Sequence, residues 1–173
     1  PLASRMTNQL CLVVPVTDVD EVVVSVFKSF RDQVFGGMSL LAICLDSVDP
    51  SEVRSALRGV SAKVVARGDW SDVSRISSKQ DEPWVVLTDG RTNLAPAFSA
   101  TVLARLRREQ DSIDIVVVDD DIAGPDGSRT DPHFKPEWSP ELLLSTDYFG
   151  GAFVVRRSLL EEAEISSANA ASW

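Results

Sequence analysis

The sequence predicts an α/β fold, a doubly wound and mostly parallel sheet covered by helices on both faces. Six short apolar runs carry that prediction: Leu10 to Val16, Leu40 to Leu45, Lys63 to Ala66, Trp84 to Leu87, Ile113 to Val118 and Ala152 to Val155. They are rich in β-branched residues and lack the in–out alternation of a half-solvated sheet, which fits strands buried on both faces. Amphipathic stretches with helix-start signals separate the runs, and the joints are short, as in right-handed βαβ units. Several runs also end at acids (Asp18, Asp46, Asp89, Asp119), on the edge where open α/β sheets bind ligands.

The 173 residues are 44% hydrophobic, enough for one globular domain with a sizeable core and too few for two. Residues 1–9 are expected to be a leader and 10–173 the domain. After the first strand, Asp18 and Glu21 are spaced as a capping box, and Val22, Val23, Val26, Phe27 and Phe30 mark the inward face of a helix. Phe35-Gly36-Gly37 breaks the chain before the second strand. Asp49, Pro50 and Glu52 then start a second helix, which Gly59 can stop. Residues 67–83 read as a polar stretch. Leu94-Ala95-Pro96 leads into a helix with Phe98, Val102, Leu103 and Leu106 inward. Ser139-Pro140-Glu141 has the signature of a further helix start.

The formal net charge of −9 argues against nucleic-acid binding, which needs clustered Lys and Arg. Cys11 and Cys44 each lie inside a strand-like run, so they read as buried free thiols of a reducing, cytoplasmic compartment. No apolar run approaches the ~20 residues of a membrane-spanning helix, leaving membrane association to parts outside this chain.

The stretch from Ile113 to Arg157 is the most informative. A β-branched strand ends in Asp119, Asp120 and Asp121. Asp126-Gly127 follows as a turn, then Phe134-Lys135-Pro136-Glu137-Trp138-Ser139-Pro140-Glu141-Leu142-Leu143, and the stretch closes into Arg156-Arg157-Ser158-Leu159-Leu160. This string resembles the bacterial family-two glycosyltransferases, inverting enzymes of the GT-A fold that use a nucleotide-diphosphate sugar. The match spans about the last third of the chain. Pro15 near the end of the first strand resembles the family's opening strand.

The resemblance implies three sites. The base and ribose of the donor would sit at the ends of the first two strands, on Thr17, Asp18 and Asp46, with Arg75 the counterpart of a family arginine. For Asp46 helix capping is an equally simple account, and for Asp18 it is the simpler one. The diphosphate would sit after the fourth strand, where the family's Asp-x-Asp binds a divalent cation, Mn or Mg. Here the tripeptide is Asp89-Gly90-Arg91. The first acid is present and an arginine replaces the second. Either Asp89 keeps a metal, with Asp119 or Asp121 on the neighbouring strand end, or Arg91 turns its guanidinium on the diphosphate. No organic cofactor is implied.

Lys135 and Trp138 belong to an acceptor-side loop, where Trp138 either anchors the loop or stacks on a sugar. His133 reads as a surface or packing residue. At the family's catalytic-base position this chain has Ser172, a poor base without an activating partner, so no catalytic residue is assigned. The implied function is sugar transfer from a UDP- or GDP-linked donor to a hydroxyl of a glycan or lipid-linked acceptor in cell-surface or exopolysaccharide synthesis, with inversion. The other reading is a non-catalytic GT-A-like binding or assembly module. A chain that stops before the family's acceptor portion would also expose apolar surface and favour homo-oligomers. A nucleotidyltransferase or a receiver domain fits less well. Pro15-Val16-Thr17-Asp18 is not a Gly-rich phosphate loop, and a lone Asp18 is not a paired acid site.

Overall fold

In the computed structural model the described residues are 9–45, 48–77, 79–109, 112–124 and 126–162. Strand β1 (Leu10–Val16) is the spine of a six-stranded sheet. Its neighbours are β2 (Met38–Leu45) and β4 (Trp84–Thr88), both parallel to it, and β3 (Lys63–Gly68) pairs parallel to β2. Beyond β4 the sheet continues with β8 (Ala152–Arg156) and ends at β5 (Ile115–Val117), so the order is β3-β2-β1-β4-β8-β5. The mostly parallel sheet is as expected, with one refinement: β8 runs antiparallel to both its neighbours. A buried strand has the same apolar composition in either direction, so the sequence pattern could not show this.

Period-two alternation divides the core. Leu10, Leu12, Val14 and Val16 face one side, where Val23, Val26 and Phe27 of α1 (Glu21–Arg31), Val53 and Leu57 of α2 (Pro50–Leu57), and Val102, Leu103 and Leu106 of α4 (Phe98–Glu109) cover them. Cys11 and Val13 face the other side, with Leu41, Ile43 and Val85, under Val73 of α3 (Trp70–Ser77) and Leu160 of α6 (Arg157–Glu162). Each such buried Val, Leu or Phe contributes roughly 1.5–3 kcal/mol. Both cysteines are free and buried, and burial pushes the Cys11 thiol up to about 11.

The helix entries differ in detail from the spacing argument. The cap of α1 is Asp20 rather than Asp18: its side chain accepts from Val23 N at 2.9 Å, while the Asp18 carboxylate accepts from the adjacent Val19 N. Asp49 caps α2 as expected, accepting from Ser51 N with Pro50 in the first turn, and the helix stops at Arg58 in the left-handed region followed by Gly59. The stretch read as polar contains α3, whose exposed Arg75 pairs with Asp72.

Two further elements lie outside the main sheet. An antiparallel hairpin, β6 (Asp120–Ala123) with β7 (Arg129–His133), follows β5 directly. A short helix, α5 (Pro140–Ser145), is capped by Ser139, which accepts from Leu142 N. Ile122, Phe134, Trp138 and Leu144, all within residues 122–144, are 60–91% exposed. The loop carrying Trp138 is therefore not anchored by that indole. Tyr148 and Phe149 are the buried aromatics there: the Tyr148 hydroxyl accepts from Ser139 N, and Trp138 meets Phe149 only at a centroid distance of 6.5 Å. No described helix is long and apolar enough to cross a membrane.

Candidate functional site

The first wall of the site is the turn after β4. Thr88 is buried, and its hydroxyl donates to Val13 O at 2.9 Å and accepts from Gly90 N at 3.2 Å. Gly90 has φ +79°, and a Cβ there would lie 2.1 Å from Pro15 O, so only glycine fits. These contacts press the turn onto the end of β1 and fix Asp89. Its Oδ1 accepts from Arg91 N at 2.8 Å, Thr92 N at 2.9 Å and Thr92 Oγ1 at 3.0 Å. Arg91 is 62% exposed, and its Nη1 lies 3.6 Å from Asp20 Oδ2. Asp20 therefore uses one oxygen to cap α1 and turns the other toward the guanidinium.

The second wall begins at the end of β5. Asp119, Asp120 and Asp121 diverge, the first two to the amide and the ammonium of Lys135 and the third to Arg129. Asp119 Oδ1 accepts from Lys135 N at 2.7 Å, and Asp120 Oδ2 accepts from Lys135 Nζ at 2.8 Å. Asp121 meets the Arg129 guanidinium in a fork at 2.8 and 2.7 Å, which raises the arginine further above its already high range. The Lys135 side chain is only 3% exposed. An ammonium carries no lone pair, so in the 2.9 Å contact with His133 Nδ1 the imidazole nitrogen accepts. The ring hydrogen of a neutral His133 then lies on Nε2.

Between the walls runs Gly150-Gly151, at the start of β8. A Cβ on Gly151 would lie 2.0 Å from Thr92 Oγ1 and 3.0 Å from Asp89 Oδ2. One on Gly150 would lie 2.5 Å from Asp120 Oδ2 and 2.9 Å from Lys135 Nζ. Asp89 N donates to Gly151 O at 3.0 Å, tying the first wall to this seam.

The walls enclose an open cavity of about 970 Å³, within the range of small-molecule sites. It brings together the expected Asp89, Arg91, Asp119 and Asp121, and adds Arg129 and His133. Sequence reading missed Arg129 and treated His133 as a surface residue; on β7 they occupy positions of the same parity, the one signal that could have paired them. Thr17 and Asp18 stand exposed at the end of β1, outside this cavity. Arg75, on α3, is held by Asp72 and does not line it. The Lys135 ammonium is turned inward to Asp120, and Trp138 is exposed and does not line the cavity. Asp46 and Ser172 fall outside the described residues.

A hard divalent cation needs several converging oxygen ligands. Among the described residues no group of three or more His, Cys, Asp or Glu side chains could hold a metal ion. Asp89 already accepts three hydrogen bonds on one oxygen, and the neighbouring position of the expected acid pair is cationic. The donor set among the described residues does not fit the divalent cation that the resemblance implies.

No protein-family model matches the chain. The chain is 29% identical over 163 residues to the O-antigen biosynthesis protein RfbC of Myxococcus xanthus, a match covering 88% of this chain and 13% of that protein. It is also 29% identical over 173 residues to an uncharacterized protein of Sinorhizobium fredii, covering 93% of this chain and 19% of the other. The chain thus spans less than a fifth of these relatives. Among solved structures, S. aureus TarS in complex with UDP-GlcNAc superposes with a TM-score of 0.65 at 13% identity, covering 89% of this chain and 47% of that one. A Pyrobaculum calidifontis mannosyltransferase in complex with GDP-Man and Mn²⁺ gives 0.60 at 15%, covering 90% and 46%. Glucosyl-3-phosphoglycerate synthase of Mycobacterium tuberculosis in complex with UDP gives 0.56 at 19%, covering 88% and 58%. The fold is that of the GT-A glycosyltransferases.

Proposed function

We propose that this chain is the nucleotide-sugar-binding part of a glycosyltransferase that moves a sugar from a UDP- or GDP-linked donor to an acceptor hydroxyl, with inversion, in the synthesis of a cell-surface glycan. One observation carries the reading most: Asp89 and Arg91 at the edge of β4 share a cavity with the acidic wall after β5, on a GT-A sheet. In this arrangement the base and ribose lie toward the ends of β1 and β2, near Thr17 and Asp18, with Asp46, the residue that follows β2 in sequence, as the further candidate. The diphosphate lies at Asp89 and Arg91, and the sugar points across Gly150-Gly151 toward the hairpin. RfbC, by its name an O-antigen biosynthesis protein, supports the glycan assignment.

The chemistry asked of the site is substitution at the anomeric carbon. The acceptor oxygen forms the new bond while the nucleoside diphosphate leaves, and the acceptor proton passes to a base. What the described residues supply is binding and orientation. Backbone amides fix Asp89, Arg91 brings positive charge to the leaving-group end, and Arg129 and His133 present N–H groups to hydroxyls from the opposite wall. The acceptor is met by the loop of Lys135 and Trp138, where the exposed indole offers a face for stacking, and the exposed apolar side chains of residues 122–144 form the surface through which copies of the chain would associate. The working location proposed is the cytoplasm.

The test is direct. The chain is incubated with a panel of UDP- and GDP-sugars, and nucleotide binding and diphosphate release are followed. Saturable binding of one nucleotide with release of its diphosphate supports the transferase. Binding with no release under any acceptor supports the non-catalytic module, which Arg91 in place of the second acid favours. Failure of every nucleotide to bind overturns both.

A further inference from the structure

We propose that donor binding in this cavity is independent of a divalent cation, with Arg91 as the charge that meets the diphosphate and Asp20 as the residue that positions it. The inference rests on the donor reading above and concerns how that site is built. Three observations combine. The acid pair that would hold a cation is Asp89-Gly90-Arg91, so a fixed positive charge already occupies one of its two places. Asp89 is committed to its own turn through three hydrogen bonds on Oδ1, two of them to the Arg91 and Thr92 amides. The carboxylates of the opposite wall are also engaged, Asp119 and Asp120 by Lys135 and Asp121 by the Arg129 fork.

Arg91 is presented rather than buried. Its guanidinium is 62% exposed at the cavity, and its one ion pair among the described residues, to Asp20, is long at 3.6 Å and made through a single nitrogen, Nη1. That leaves the Nε–Nη2 edge of the planar fork for two oxygens of a diphosphate. Asp20 can hold the arginine there because its other oxygen is fixed by Val23 N at the start of α1, so its carboxylate cannot swing away. The same helix start contributes its partial positive charge to this side of the site.

The experiment is an isothermal titration of the full chain with UDP, GDP, UMP and GMP, each in EDTA and in Mn²⁺. Parent protein is expected to bind the diphosphate in EDTA, with Mn²⁺ changing the affinity less than about two-fold. Arg91→Ala should weaken the diphosphate by roughly ten-fold or more while leaving the monophosphate of the same base nearly unchanged, the size of a lost charge-assisted fork. Arg91→Asp restores an Asp-x-Asp pair and should bind the diphosphate only with Mn²⁺. Asp20→Asn keeps the helix cap, so a merely structural role predicts no change. A positioning role predicts a diphosphate-to-monophosphate affinity ratio lowered about two- to five-fold, as for loss of an exposed ion pair. Parent binding that vanishes in EDTA and returns with Mn²⁺ overturns this inference while leaving the donor reading intact. An unchanged ratio in Asp20→Asn overturns the part assigned to Asp20. No nucleotide bound in any condition overturns the donor reading itself.

Discussion

Lys135 and Asp120 allow a prediction whose sign, as well as size, comes from geometry. The lysine side chain is 3% exposed and its ammonium lies 2.8 Å from Asp120 Oδ2, whereas the aspartate side chain is 35% exposed. Removing one partner of a buried pair costs roughly 3–5 kcal/mol, because the other charge stays buried alone. Asp120→Asn strands the ammonium, although His133 Nδ1 remains as an acceptor and the site is partly wet, so the expected loss is about 2 kcal/mol. Lys135→Met removes the buried charge itself. The partly exposed carboxylate rehydrates and the backbone bond from residue 135 to Asp119 survives, for a loss of about 1 kcal/mol. For a chain of this length these values correspond to Tm decreases of about 4–8 °C and 2–4 °C. Urea unfolding of both variants, with midpoints compared at constant slope, measures the difference. If Lys135→Met costs as much as Asp120→Asn or more, the ammonium is a net stabiliser and the desolvation argument fails.

Other outcomes follow from the same contacts. Gly90→Ala should lose at least about 2 kcal/mol in urea unfolding and weaken nucleotide binding, since it combines a left-handed φ with a methyl 2.1 Å from Pro15 O. Asp20→Ala should lose about 1 kcal/mol by thermal unfolding whereas Asp20→Asn stays within a few tenths, because asparagine caps equally well. The folded Cys11 thiol, raised to about 11 from an ordinary 9.0, binds its proton where the unfolded chain has released it. Its contribution is therefore complete below pH 9 and is lost as pH rises toward 11, and parent protein should lose about 2–3 kcal/mol more than Cys11→Val across that interval in urea titrations.

The parts of the fold that were legible in sequence are those where burial imposes composition. β1, β2 and β4 are apolar on both faces because helices cover both, and their ends fall where the apolar runs stop. The start of α1 was harder, since Asp18 and Asp20 both precede it and either can cap. Backbone direction decides: Asp20 has the extended conformation of a cap, and Asp18 serves the bend before it. Residues 129–133, Arg-Thr-Asp-Pro-His, show no apolar pattern because every one is exposed, so the hairpin was invisible and with it the placement of Arg129 and His133. Asp89 and Arg91 were legible through family resemblance. The contact of Arg91 with Asp20 joins residues 71 positions apart and has no local signature.

The last strand of the sheet enters in the middle of it. After β5 the chain leaves through the hairpin and α5, and β8 then returns between β4 and β5, carrying Gly150 and Gly151 to the point where Asp89 and Asp120 approach. Until that strand docks, β4 and β5 have no hydrogen-bond partner on their facing edges and the two carboxylate turns have nothing to hold them at a common distance. During synthesis the cavity consequently forms only after β8 has emerged and docked. A ribosome-bound chain can have completed β1 to β4 and the helices α1 to α4 and still have no site, and any nascent chain released before Arg156 would be a partly ordered sheet, without α6 on its second face and with an open edge on β4.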